Sequence, residues 1–214
     1  MKINFSKLFK STLIAAAAVT VIGVLLLVIF GGKTAATYTM QNLRISLFVK
    51  AFVASVLVLA ATMLYFIIRF KKNGVFLGLY TAMSAVISAV VAFSVCVICR
   101  APLGELTFAL MLLAVMLSYI TAVVFVNNFS AKNTSRKKSA AVADDNYTTA
   151  ADKTWAVLRY LVTVICIVLV AAFVIALIFA VKAVPFYALP AIFVTVFSVI
   201  QTIAVGCKFY SAKV

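Results

Sequence analysis

Charged residues cut the chain into six uncharged stretches, at 11–32, 51–68, 73–99, 106–131, 160–181 and 183–207, of 22, 18, 27, 26, 22 and 25 residues. A helix needs about 20 mainly apolar residues to cross the hydrocarbon core of a bilayer, so each stretch has room for one crossing. The shortest gains reach from Arg69, whose aliphatic stem can lie in the apolar layer while its head reaches the interface. Inside a bilayer every backbone amide and carbonyl must be paired within the protein, which leaves helices or a closed barrel. Barrel strands alternate apolar and polar positions, whereas runs such as VIGVLLLVIF (21–30) are continuous. The pattern predicts an all-α polytopic membrane protein with six transmembrane helices in a single membrane domain, 1–214, and spans at about 11–32, 51–69, 73–99, 106–128, 157–181 and 184–207.

The connecting segments are short and polar. An outer segment starts at Gly32 and RFKKNG (69–74) makes an inner turn; CRAPLGEL (99–106) is an outer turn in which Pro102 and Gly104 break the flanking helices. AVKAVPF (180–186) is the last outer turn, with Pro185 placed to open the sixth span. The longest polar segment, Ala131–Lys153, is basic first and then carries Asp144, Asp145 and Asp152; it is expected as a solvated cytoplasmic loop. Trp155 follows it, where an interfacial anchor belongs. The N-terminal lysines ahead of an apolar run resemble a secretory signal, but the run exceeds the 7–15 residues of a signal core, so an uncleaved first span is expected.

Composition agrees with the membrane reading. The 214 residues are 67% hydrophobic and 11% charged, with mean hydropathy +1.25, where a soluble domain carries about a quarter charged residues. With the N-terminus inside, inner segments hold 14 of the 19 Lys and Arg and outer segments 5. The positive-inside rule then places both termini in the cytoplasm, with the chain in the cytoplasmic (inner) cell membrane. These charges flank spans, so contact with anionic lipid headgroups accounts for the net charge of +15, and nucleic acid is not an expected partner.

Chemistry has few groups to use. Histidine is absent, and the four carboxylates, Glu105, Asp144, Asp145 and Asp152, lie outside the spans. No phosphate-binding glycine loop appears, and no nucleophile stands beside a base. No catalytic residue, cofactor or enzymatic activity is expected. The CVIC pair, Cys96 and Cys99, has no second pair and no histidine to complete a tetrahedral metal site; with Cys166 and Cys207 it is read as small packing residues.

Polar positions inside the spans fall into two groups. Ser84, Ser88, Ala92 and Cys96 recur every fourth residue, a small-residue row that lets helix backbones approach closely, and so a helix-packing face. In SYITAVVFVNN (118–128), Ser118, Thr121, Phe125 and Asn128 fall on one helical face, with Asn127 beside them. Ser118, Thr121, Asn127 and Asn128 form a candidate polar intramembrane face, able to line a hydrated groove or to bond to neighbouring helices. None of them titrates near neutral pH.

Two segments, YFIIRFKKNGVFLGLYTAMSAVISAV (65–90) and APLGELTFALMLLAVMLSYITAVVFVNNFSAKN (101–133), carry a resemblance to a known family. They resemble the SecF subunit of the SecD–SecF protein-export complex, the six-helix membrane half of the RND superfamily; FYALPAIFVTVFSVIQTIAVG fits that family's last hairpin in length and texture. The resemblance implies an RND-like six-helix half, a SecD-like or other six-helix partner subunit, and association with the Sec translocon. Pairing Ser118 with the family's serine puts Thr121 at the place of its intramembrane Asp and Asn127 at the place of a second Asp. Ser84 and Ala85 stand opposite its His-Asp pair, and the extracytoplasmic domain between the first two spans is missing. The resemblance therefore implies an accessory or structural export subunit without its own proton-coupling carboxylate. A half-transporter for a small molecule or lipid, or a scaffold without transport, are the alternatives.

Overall fold

The computed structural model describes residues 5–30, 45–70, 74–101, 104–133, 143–178 and 185–211. The connections expected at 31–44, 71–73, 134–142 and 179–184, and Pro102, lie outside them. The described residues form six helices: α1 (Phe5–Phe30), α2 (Ile45–Phe70), α3 (Gly74–Ile98), α4 (Glu105–Asn133), α5 (Ala143–Ile178) and α6 (Pro185–Ser211). Each is long and apolar enough to cross a membrane, so the chain is an all-helical, multi-pass membrane protein.

Three helices form the centre and three surround it. α3, α4 and α6 pack against one another; α1 lies against α3 and α6, α2 against α3 and α4, and α5 against α4 and α6. Burial follows this division: 50, 56 and 61% of the apolar windows of α3, α4 and α6 are buried, against 17, 6 and 11% for α1, α2 and α5. The outer helices turn Ile14, Val28, Leu57, Ile68, Val164 and Ile167 outward. Such continuous apolar surface would be a liability in water and is the face a bilayer covers.

Small side chains bring the inner helices together. Ala92, Ala114 and Val194 make one contact layer of α3, α4 and α6. Nearer the cytoplasmic end expected from the charges, Leu77, Tyr80, Ala122, Val126 and Val205 pack with Phe66 of α2. A Cβ added to Gly206 would lie 2.8 Å from both the Phe125 ring and the Tyr80 hydroxyl oxygen. Any side chain there must displace these two rings, and glycine sets the approach of α6 to α3 and α4.

α3 stops through its own backbone. Arg100 adopts a left-handed φ of 55°. The amide of Ala101 donates to the Cys96 carbonyl at 2.9 Å, and that of Arg100 to Val97 at 3.0 Å. These two bonds are a Schellman cap, completed just before the proline that disfavours further helix.

The expectation of a loop over 131–153 requires correction. α4 continues to Asn133, and α5 already begins at Ala143, well before the expected span start at 157. Packing is the reason: Ala150, Ala151, Leu158 and Val162 lie at helical spacing and bury themselves against Phe125, Val199, Ile203 and Cys207. A stripe of contacts outside the hydrophobic run carries the helix beyond what hydropathy alone indicates.

Candidate functional site

Polar side chains converge halfway along the three inner helices. Ser88 is residue 15 of the 25 in α3, Ser118 residue 14 of the 29 in α4, and Gln201 residue 17 of the 27 in α6. The Ser118 hydroxyl donates to Ser88 Oγ at 2.8 Å, and the Ser88 hydroxyl donates to Gln201 Oε1 at 2.9 Å. One relay thus links α4, α3 and α6, with all three side chains buried. The fourfold row explains the position of Ser88, because Ser84, Ser88, Ala92 and Cys96 all lie on the buried side of α3.

The inward threonines are satisfied within their own helices. Thr121 Oγ1 donates to the Leu117 carbonyl at 2.7 Å, Thr81 to Leu77 at 2.9 Å, and Thr195 to Ala191 and Thr202 to Ser198 each at 2.7 Å. This i−4 bond is the ordinary way to place a hydroxyl in an apolar helix. About two turns from Ser88 toward the 74 end of α3, the Tyr80 hydroxyl donates to the Thr202 carbonyl at 2.7 Å.

Ser118, Thr121, Asn127 and Asn128 do not form a single face. Ser118 bonds α3, and Thr121 bonds its own helix. Asn127 Oδ1 accepts from the Tyr65 hydroxyl of α2 at 3.2 Å, and Asn128 Nδ2 donates to Thr154 Oγ1 of α5 at 3.1 Å. The geometry explains the spread: neighbouring residues sit about 100° apart on a helix, and ten residues fall well short of a whole number of turns. The Tyr65 hydroxyl also accepts from Arg69 Nη1 at 2.6 Å, and that guanidinium lies 5.7 Å from the centres of the Tyr65 and Phe70 rings. Asn127 thus belongs to an aromatic–arginine cluster at the end of α2.

The Asn128–Thr154 bond ties α4 to the extended part of α5. Because Thr154 also donates to the Ala150 carbonyl at 2.7 Å, losing Asn128 leaves it partnered. A double-mutant cycle of Asn128→Leu and Thr154→Val should therefore show a coupling of only about 0.6 kcal/mol, the average for interhelical bonds in membranes. Thermal unfolding in detergent measures it, and zero coupling would mean the bond contributes nothing in solution.

Gln201 and Ser198 were not among the sequence candidates. Their signal was present as Thr195, Ser198 and Thr202 at i, i+3 and i+7 in FVTVFSVIQTIAVG, with Gln201 next to that stripe. Elsewhere, an apolar groove of about 330 Å³ between α2, α3 and α4 is lined by Val56, Leu59, Ala85, Ala89, Met111 and Val115 among others, with Ser55 and Tyr119 its polar residues. The four cysteines are free thiols, and among the described residues no three His, Cys, Asp or Glu side chains gather as a metal site would need. The relay itself is built from hydroxyls and one amide, groups that donate and accept hydrogen bonds without changing charge.

No family model matches the sequence, and neither a curated protein nor a solved structure matches the chain.

Proposed function

We propose that this chain is an accessory or structural subunit of a membrane complex for protein export, without a proton-coupling carboxylate of its own. The observation that carries the reading is the chemistry of the mid-membrane relay: Ser118, Ser88 and Gln201 bond to one another, and Thr121 bonds its own helix. Driving export with protons requires a group that gains and loses charge inside the membrane, and this relay has none. The export context rests on the resemblance of 65–90 and 101–133 to SecF proteins. On this reading both termini face the cytoplasm, the chain lies in the inner cell membrane among anionic lipids, and a SecD-like six-helix partner supplies the titrating residues.

Affinity capture of the tagged chain from mildly solubilised membranes tests the reading. The expected result is recovery of a polytopic partner with intramembrane carboxylates, together with translocon components. Capture of the chain alone, with normal secretion in a deletion strain, would remove the export reading and leave a scaffold without transport.

A further inference from the structure

The relay leaves three atoms unmatched. Ser84 Oγ, Ser198 Oγ and Gln201 Nε2 have no hydrogen-bond partner among the described residues, and their side chains are 0, 0 and 1% exposed. The omission is selective. Ser94 of α3 donates to the Val90 carbonyl at 2.8 Å, and the inward threonines bond their own helices in the same way, whereas Ser84 and Ser198 make no such bond. Gln201 is held by its carbonyl alone, since Ser88 accepts from Ser118 and passes its own proton to Gln201 Oε1. The amide nitrogen is left with two donor hydrogens and nothing to receive them.

The three atoms lie along one stretch of the α3–α6 contact. The Ser88–Gln201 bond sets the register of α3 against α6, which runs in the opposite direction. Ser84 is then one turn from the bond on one side and Ser198 about one turn on the other, so the unmatched atoms span about two turns, roughly 11 Å. Buried polar groups without protein partners are where internal water is found, each molecule making about three hydrogen bonds.

We infer that the α3–α4–α6 centre holds internal water at more than one place, one molecule accepting from Gln201 Nε2 and others bonding the Ser84 and Ser198 hydroxyls. Water fits because it can accept from the amide and both give to and receive from hydroxyls. A cation is disfavoured by the unmatched amide hydrogens of Gln201, since hard cations require a shell of oxygens. An anion would give up its hydration in a layer whose named polar groups, Ser84, Ser88, Ser118, Ser198 and Gln201, are all neutral, and uncompensated burial of a charge is strongly unfavourable. The inference does not depend on the export reading.

The test combines a structure with two substitutions in the full chain in lipid nanodiscs. A structure at about 2 Å should show ordered density within about 2.7–3.2 Å of Gln201 Nε2, unchanged when the buffer salt is replaced by rubidium bromide. Ser84→Ala and Ser198→Ala, which remove one hydroxyl each, should lower the unfolding midpoint by about 2–4 °C. Rubidium or bromide signal at the site would overturn the inference in favour of an ion. An empty centre, or a midpoint that rises in both alanine variants because an unmatched hydroxyl has been removed, would overturn it outright.

Discussion

Thr121→Asp should give a protein that behaves like its Thr121→Asn counterpart in acid and loses on the order of 3 kcal/mol of stability relative to it at neutral pH. Thr121 is fully buried on α4, and its hydroxyl is already committed to the Leu117 carbonyl. The nearby relay residues Ser88, Ser118 and Gln201 are neutral. A carboxylate placed there loses its hydration without gaining a counter-charge, which disfavours the ionised form in the folded protein. In acid the carboxyl is neutral in both states and the penalty is absent; as pH increases the penalty grows until ionisation is complete, and beyond that it is constant. Unfolding midpoints of the Asp and Asn variants in detergent between about pH 4 and 8 measure this. A difference between the two that does not vary with pH would show that the site already offers a charge partner or open water.

Gly206→Leu should prevent most of the chain from folding. Its Cβ would meet Phe125 and the Tyr80 hydroxyl oxygen at 2.8 Å before any further atom is added. Overpacking a filled core costs about 1–3 kcal/mol. Pushing Tyr80 from the Thr202 carbonyl, now 2.7 Å away, loses that buried hydrogen bond at about 0.5–1.5 kcal/mol more. Gly206→Ala should be far milder, because ring tips can yield by a fraction of an ångström and alanine favours helix by about 1 kcal/mol over glycine. Size-exclusion profiles and unfolding midpoints separate the cases. A Gly206→Leu protein that elutes as a single species and unfolds at the wild-type temperature would contradict the close approach of α6 to α3 and α4.

The six crossings were legible because charge is so costly at bilayer depth that lysine and arginine mark the ends of the spans. The first part of α5 was not, since Ala150 and Ala151 read as loop material until they are seen packed beside Phe125 and Cys207. Nor did hydropathy separate inner from outer helices: α1 and α5 average 2.8 and 2.7, above the 2.1 of α6. Lipid is as apolar as a protein interior, so apolarity cannot report which side faces protein. Small and hydroxyl side chains were the better guide: Ser84, Ser88 and Ser118, singled out on that ground, are all buried. Gln201 escaped notice because its significance lies in a bond to Ser88, 113 positions earlier in the chain.

That separation also bears on how the molecule is made. α6 emerges after the other five helices, yet α1, α3, α4 and α5 all rest against it. Until it enters the bilayer, Ser88 has no amide to receive its proton and Tyr80 has no Thr202 carbonyl to reach. The nascent bundle therefore carries an open polar seam along α3 and α4 from the completion of α4 until α6 is made. Folding is completed only when α6 packs, and a chain interrupted before residue 185 lacks the α6 groups that Ser88 and Tyr80 bond in the finished protein.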